Sequence, residues 1–350
     1  MARVNAMLEQ VELLLNQRAM LAASRYCSLL QLRQHDEKIS NAIKWLQQQS
    51  LPQTTHAQPQ WLKWLLCFSN PQLLPLDAVA HLVQPEQSWL LLHQLKQQWC
   101  NSVTPHWQAA VQQQIDDSTA TPLWTLAYYL QLSVDPFAQP GPLTAAALWY
   151  LLLAKPTDVH QQLPHYRPAN ANMSILHQLA LQLTSPEYQA DLTPYTPQQL
   201  VEALKPHRFG MMLLLASIDD RTQATLINYL AQTEQSAAIE AMGHSGQLKF
   251  VPLLTELAQQ QDLNTVASDA LAMLLGVIDC EAYLQQPGLS QHFHSRSGAR
   301  HLSGAAQTDL QLDTVWRTGN TQQRQLAGCL RKLKATQQQL FAADALQVRP

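Results

Sequence analysis

Apolar residues recur at three- and four-residue spacing in one window after another of this chain, and prolines fall between the windows. The opening stretch VELLLNQRAMLAASRYCSLLQLRQHDEKISNAIKWLQQQ predicts two long helices, the second placing Leu32, Ile39, Ile43 and Leu46 on one face. QSLPQTTHAQPQ then ends it. Between 60 and 155 follow WLKWLLCFS, LDAVAHLV, EQSWLLLHQLKQQW, WQAAVQQQI, PLWTLAYYLQL and LTAAALWYLLLA, broken by Pro71, Pro75, Pro85, Pro105, Pro122, Pro136, Pro140 and Pro142. Alternating strand patterns bounded by Asn-Gly or Asp-Gly turns are absent, and Gly141 is the sole glycine before residue 210. The predicted class is all-α.

The run LTAAALWYLLLA at 143–154 falls well short of the ~20 apolar residues that span a bilayer, so it predicts a buried helix and no membrane insertion. Eight of the nine tryptophans lie in this first half, where they predict a large-residue core. The pattern divides the chain into a helical N-terminal region at 1–155, an irregular proline-rich connection at 156–197, repeats at 198–285, a mobile loop at 286–306 and C-terminal helices at 307–350.

The repeats carry the clearest signal. VPLLTELAQQQDLNTVASDALAMLLG at 251–276 predicts two helices, one with the stripe Phe250, Leu253, Leu254 and Leu257, the other with Val266, Ala270, Leu271 and Leu274. Neither stripe is buried unless the two helices and their neighbours stack, which predicts stacked antiparallel helix pairs. Pro252 suits a first turn, and Gly243 and Gly276 suit left-handed helix ends. Gly210, Gly243 and Gly276 are evenly spaced, but Gly210 is expected to begin a helix and the other two to end one.

PLLTELAQQQDLNTVASDAL resembles the HEAT repeat: an early proline, a leucine stripe, Asp262 in the turn, then valine and a second helix rich in small residues. Ala267 stands where the repeat has arginine, which leaves apolar packing in place of an aspartate–arginine ladder. Over more of the chain, SLLQLRQHDEKISNAIKWL, AAIEAMGHSGQLKFVPLLTELAQ, ALAMLLGVIDCEAYL and Trp316 resemble an uncharacterised bacterial family of HEAT-type proteins often encoded beside type VI secretion genes. TVWRTGNTQQRQLAGCLRKL keeps the outline of that family's C-terminal signature. The resemblance implies a HEAT-like α-solenoid and a secretion setting; it carries no catalytic residues.

Among 350 residues, 46% are apolar and 13% charged, while about one in seven is glutamine, so glutamine is expected to do much of the solvating work. A net charge of −3 supplies no cationic field for nucleic acid. Five cysteines without a CxxC pair suggest neither a disulfide framework nor a zinc knuckle, and Glu9 and Glu12 interrupt any signal-peptide core. A cytoplasmic location is expected.

Candidate chemistry is sparse, and no cofactor, metal or catalytic residue is expected. GHSG at 243–246 places its second glycine one residue early for a hydrolase elbow and follows a helical pattern. Asp116-Asp117 and Asp219-Asp220 precede helical patterns and read as caps. Lys205, His207 and Arg208 sit at a helix break and read as solvated, and RKLK at 331–334 reads as one basic turn. QHFHSRSGARH gathers His292, His294, Arg296, Arg300 and His301, either as loop residues or as contacts to a partner. The expected function is a non-catalytic scaffold or adaptor binding a protein, with a type VI secretion component or effector as partner. An immunity protein masking a toxin and an enzyme on a helical frame are the alternatives, and the oligomeric state stays open.

Overall fold

The computed structural model describes residues 2–49, 143–153, 158–185, 187–207, 209–289 and 298–335, with 112, 124, 127–128, 132–137, 340 and 343 besides. The helical patterns between 60 and 111, Asp116-Asp117, Cys67, Cys100, Arg208, His292, His294 and Arg296 lie outside the described residues. Thirteen α-helices stand among the described residues, sequence neighbours packing on one another, together with a two-stranded hairpin. The chain divides into two compact units, Met1–Ala23 with Leu29–Gln162 and Asp344–Pro350, and Ser24–Ser28 with Leu163–Ala343.

In the first unit α1 (Ala2–Ala23) packs on α2 (Leu29–Gln47). Leu32, Ile39, Ile43 and Leu46, the predicted face, are all buried, with Val11 and Leu15 opposite. A buried ion pair joins the helices, Arg18 Nε donating to Asp36 Oδ1 at 2.7 Å, and the His35 ring bonds the Leu14 carbonyl at 2.8 Å. The predicted buried helix is α3 (Ala145–Leu153), inaccessible from Ala147 onward. Its Tyr150 hydroxyl donates to the Leu132 carbonyl at 2.7 Å, accepts from the Val134 amide, and lies on a ring tilted against Trp124 at 5.3 Å. No helix among the described residues is long and apolar enough to cross a membrane.

The second unit runs through α4 (Ala171–Thr184), α5 (Pro197–Leu204), α6 (Gly210–Ser217), α7 (Asp220–Thr233), α8 (Gln235–His244), α9 (Val251–Leu257), α10 (Asn264–Leu275), α11 (Val277–Gln285), α12 (Asp309–Thr318) and α13 (Thr321–Lys334). The connection expected to be irregular at 156–197 contains all of α4. Asn170 caps this helix by accepting from the Met173 amide, and His177 within it bonds the Leu163 carbonyl at 2.8 Å. Thr196 with Gln199, and Asn320 with Gln323, form capping boxes, glutamine serving where glutamate is common. Asp219 caps α7, as its sequence position predicts.

Sequence stripes and observed faces differ in places. On α9 the buried residues are Val251, Pro252, Leu254 and Thr255, while Leu253 is 43% exposed. A 3₁₀ turn at Leu248–Phe250 precedes α9 and puts Phe250 out of phase with it. Thr255 enters the core because its hydroxyl donates to the Val251 carbonyl at 2.7 Å. Helix α10 is buried almost all round, since α8, α9 and α11 each pack against it. Ala267, at the position of the HEAT arginine, is wholly enclosed there.

Gly243 does not end a helix. It lies inside α8, where an added Cβ would stand 2.8 Å from the Ala270 Cα of α10. The positive-φ residue beyond α8 is Gly246, and Gly276 closes α10 at φ 81° and ψ 163°, positive but outside the left-handed helical well.

The strands depart from an all-α chain. His301–Leu302 pairs with Ala305–Ala306 across Ser303 (φ 51°) and Gly304 (φ 87°), a two-residue turn that needs positive φ at both places. The hairpin is a plug: Leu302 is fully buried with Met273, Leu312, Val315 and Leu326, and the Ser303 and Gly304 amides donate to the Met273 and Leu274 carbonyls at the end of α10.

Glutamine, expected on the surface, also fastens the interior. Buried Gln223 donates to the Leu215 carbonyl at 2.5 Å and accepts from Gln247, Gln323 donates to the Ala272 carbonyl at 2.8 Å, and Gln325 accepts from the Ala343 amide at 2.8 Å.

Candidate functional site: an acidic cleft between α5, α6, α7 and α8

A cleft of about 250 Å³ opens in the second unit where the turn after α5 meets α6, α7 and α8. Its apolar wall is Val201, Met211, Met212, Leu230, Ala237 and Ala241. The polar lining is Lys205, His207, Glu234, Glu240, His244 and Gln322. Helical geometry explains the convergence, because Ala237, Glu240, Ala241 and His244 are spaced three and four apart and so share one face of α8. Gly210 begins α6 as the sequence predicts, which brings Met211 and Met212 onto the same side as Lys205.

Two carboxylates and one ammonium line the cleft. Lys205 is ion-paired with Glu234, both side chains about half exposed, and its charge also acts on Glu240. The Glu240 carboxyl is held above the usual carboxylate range, first by partial loss of water around it, then by the negative charges of Glu234 and Asp269, with Lys205 opposing. Asp269 has its own partner, accepting from Arg25 at 3.0 Å. Surrounding protein strips water from the His244 ring and pushes it down to about 4, so this imidazole is neutral at pH 7. The lining thus presents a surplus of negative charge beside a methionine-rich wall, an arrangement suited to receiving a cation that carries an apolar stem.

The other sequence candidates are placed elsewhere. Arg300 points into the fold: its guanidinium donates to the Ile218 carbonyl at 2.6 Å and the Leu215 carbonyl at 3.3 Å, at the end of α6, and pairs with Asp220 at 2.9 Å. His301 lies in the first strand, its amide donating to the Gly246 carbonyl at 2.7 Å. In GHSG, Ser245 is buried at a helix end, with its hydroxyl donating to the Met242 carbonyl at 2.7 Å and accepting from the Gln247 amide. That hydroxyl is committed to the turn.

RKLK forms the last, basic turn of α13, as its sequence predicts, and its side chains are engaged within the fold. Lys332 is buried, Lys334 pairs with Asp309 at 2.7 Å, and Arg331 pairs with Asp313 while lying 5.8 Å over the Trp316 ring. Burial pushes the Cys280 and Cys329 thiols up to about 11 and about 12, far from nucleophilic thiolates at neutral pH. Among the described residues no group of three or more His, Cys, Asp or Glu is placed to hold a metal ion.

Lys205 and His207, expected to be solvated at a helix break, line the cleft together with Glu234, Glu240 and His244, for which the sequence predicts no shared site. The four-residue spacing of Glu240 and His244 beside Ala237 and Ala241 was the available signal. Compared with protein-family models, with curated proteins and with solved structures, the chain finds no match.

Proposed function

We propose that this chain is a non-catalytic helical-repeat frame that holds another protein, with a type VI secretion component or effector as the partner. The observation that carries the reading is the second unit, in which consecutive short helices bury their apolar faces on one another. Such stacking leaves outward positions free to be shaped for recognition. The HEAT-like pattern at 251–276 and the resemblance to proteins encoded beside secretion genes supply the setting. Binding is stoichiometric and the frame turns nothing over.

Affinity capture from the native cells, followed by mass measurement of the purified complex, tests this. Recovery of a spike or effector protein in a defined complex, with secretion lost on deletion, is expected. Recovery of no partner sinks the reading, and self-poisoning of the deletion strain, relieved by this chain, transfers it to an immunity protein.

The acidic cleft is the one observation that favours a second reading, an enzyme on the helical frame, since titratable groups converge there. Magnitudes weigh against it. A general base is most effective with a pKa near the working pH, whereas His244 sits at about 4 and is a feeble proton acceptor at pH 7. The cleft is also smaller than the ~300–1,000 Å³ of ordinary small-molecule sites, a size that suits one side chain.

A further inference from the structure

We propose that the cleft between α5, α6, α7 and α8 is a socket for a basic side chain, lysine or arginine, presented by the partner protein. The inference rests on the protein-binding reading above and adds the chemistry of the contact. Three features of the cleft argue for it.

The first is charge. Glu234 and Glu240 share the single ammonium of Lys205, so a second cation finds an acceptor without displacing anything buried. Loss of water is the main reason Glu240 holds its proton more tightly than a free carboxyl; the negative charges of Glu234 and Asp269 add to it, and that part of the field favours a bound cation as well. His244, neutral at pH 7, adds no repulsion.

The second is shape. Met211, Met212 and Leu230 line the cleft beside the carboxylates. A methylene stem lies against such a wall while its charged end stays at the rim, and flexible thioethers adapt to whichever stem arrives. The volume of about 250 Å³ holds one long side chain.

The third is a precedent within the chain. The Lys205 ammonium already occupies the Glu234 side of the cleft, through a pair half exposed to solvent and therefore weak. It is an internal copy of the proposed guest. Removing it leaves both carboxylates for the incoming cation.

The test uses the full chain with ¹³C-methyl methionine, the Met211 and Met212 signals assigned by Met211→Leu and Met212→Leu. The probes are a capped Ala-Ala-Lys-Ala-Ala peptide, its arginine counterpart, its norleucine and ε-acetyl-lysine counterparts, and n-butylamine. At neutral pH and low salt, the lysine or arginine peptide is expected to shift both methyl signals saturably, the norleucine and acetyl-lysine peptides binding roughly tenfold more weakly. Glu240→Gln is expected to weaken the basic peptide by roughly the same factor, and Lys205→Met to tighten it several-fold, an opposite change that a folding defect does not imitate.

Equal binding of the norleucine peptide overturns the proposal in favour of a merely apolar groove. Unchanged affinity in Glu240→Gln overturns it as well, and so does binding of n-butylamine without the peptides, which marks a small-amine site. If the captured partner stays on the Glu240→Gln protein at full affinity while the peptides fail, the socket falls and the protein-binding reading stands. If the peptides bind and no protein complex forms, the frame reading falls alone.

Discussion

Replacing Gly243 by alanine sets two effects of opposite sign against each other. Alanine inside a helix is favoured over glycine by about 1 kcal/mol, so α8 taken alone gains. Against this, the new Cβ would stand 2.8 Å from the Ala270 Cα, 2.9 Å from its Cβ and 3.1 Å from its carbonyl oxygen. Carbon atoms rest about 3.5–4.0 Å apart, so α8 and α10 must separate by roughly 1 Å. Helix α10 has little room to give, being packed by α9 and α11 as well. Overpacking costs about 1–3 kcal/mol, and because backbone atoms stand in the way here the upper part of that range, about 2–3, applies; less the helix gain of about 1, the net loss is expected near 1–2 kcal/mol. In a unit of this size that lowers the melting temperature by about 2–8 °C. Urea unfolding of the Gly243→Ala protein, with Gly288→Ala as the control because nothing lies within 4 Å of an added Cβ there, reads the difference. Adding Ala270→Gly should restore part of the loss and not all, since the Ala270 backbone remains in the way. A Gly243→Ala protein as stable as the parent means that α8 and α10 do not meet at this point, and refutes the argument.

Two further outcomes follow from groups inside the fold. Burial lowers Lys332 from the usual lysine value to about 7, so the unfolded chain binds the extra proton between about pH 7 and 10.5; stability rises with pH across that window and the cost of the buried charge is fully present below it. Lys332→Met is expected to remove that slope, up to about 1.4 kcal/mol per pH unit, and to raise stability at pH 7, as read from urea midpoints between pH 7 and 9. Arg300→Met deletes the pair with Asp220 and the donors to the Leu215 and Ile218 carbonyls; a loss of about 2 kcal/mol is expected, with faster amide exchange across residues 300–306, and unchanged exchange there means that Arg300 does not hold the hairpin against α6.

Much of the helical frame was legible. The Leu32, Ile39, Ile43 and Leu46 face follows directly from helical period, and the role of Asp219 follows from its place before a helical run. What escaped depended on partners distant in sequence. Two-residue strands are too short to show alternation, and the hairpin holds because Leu302 finds a core built from α10, α12 and α13. Gly243 read as a helix end since glycine so often is one, whereas its use is the close approach of Ala270, 27 positions away. Phase on α9 was lost at the 3₁₀ turn, which shifts the stripe. The cleft gathers groups from Val201 to Gln322, and nothing local to Lys205 foretells that Glu240 comes to share its charge.

The amide side chains threaded through the second unit have a consequence of their own. Gln223, Gln247, Gln323 and Gln325 join separate parts of the chain by bonds that neither gain nor lose a proton anywhere in the physiological range and that dissolved ions screen little. Ties made in this way stay fastened when acidity or ionic strength changes around the molecule, while the half-exposed ion pairs at its surface loosen. Shape and surface charge are thereby governed by different chemistry, so contacts made at the surface can weaken under conditions that leave the fold itself intact.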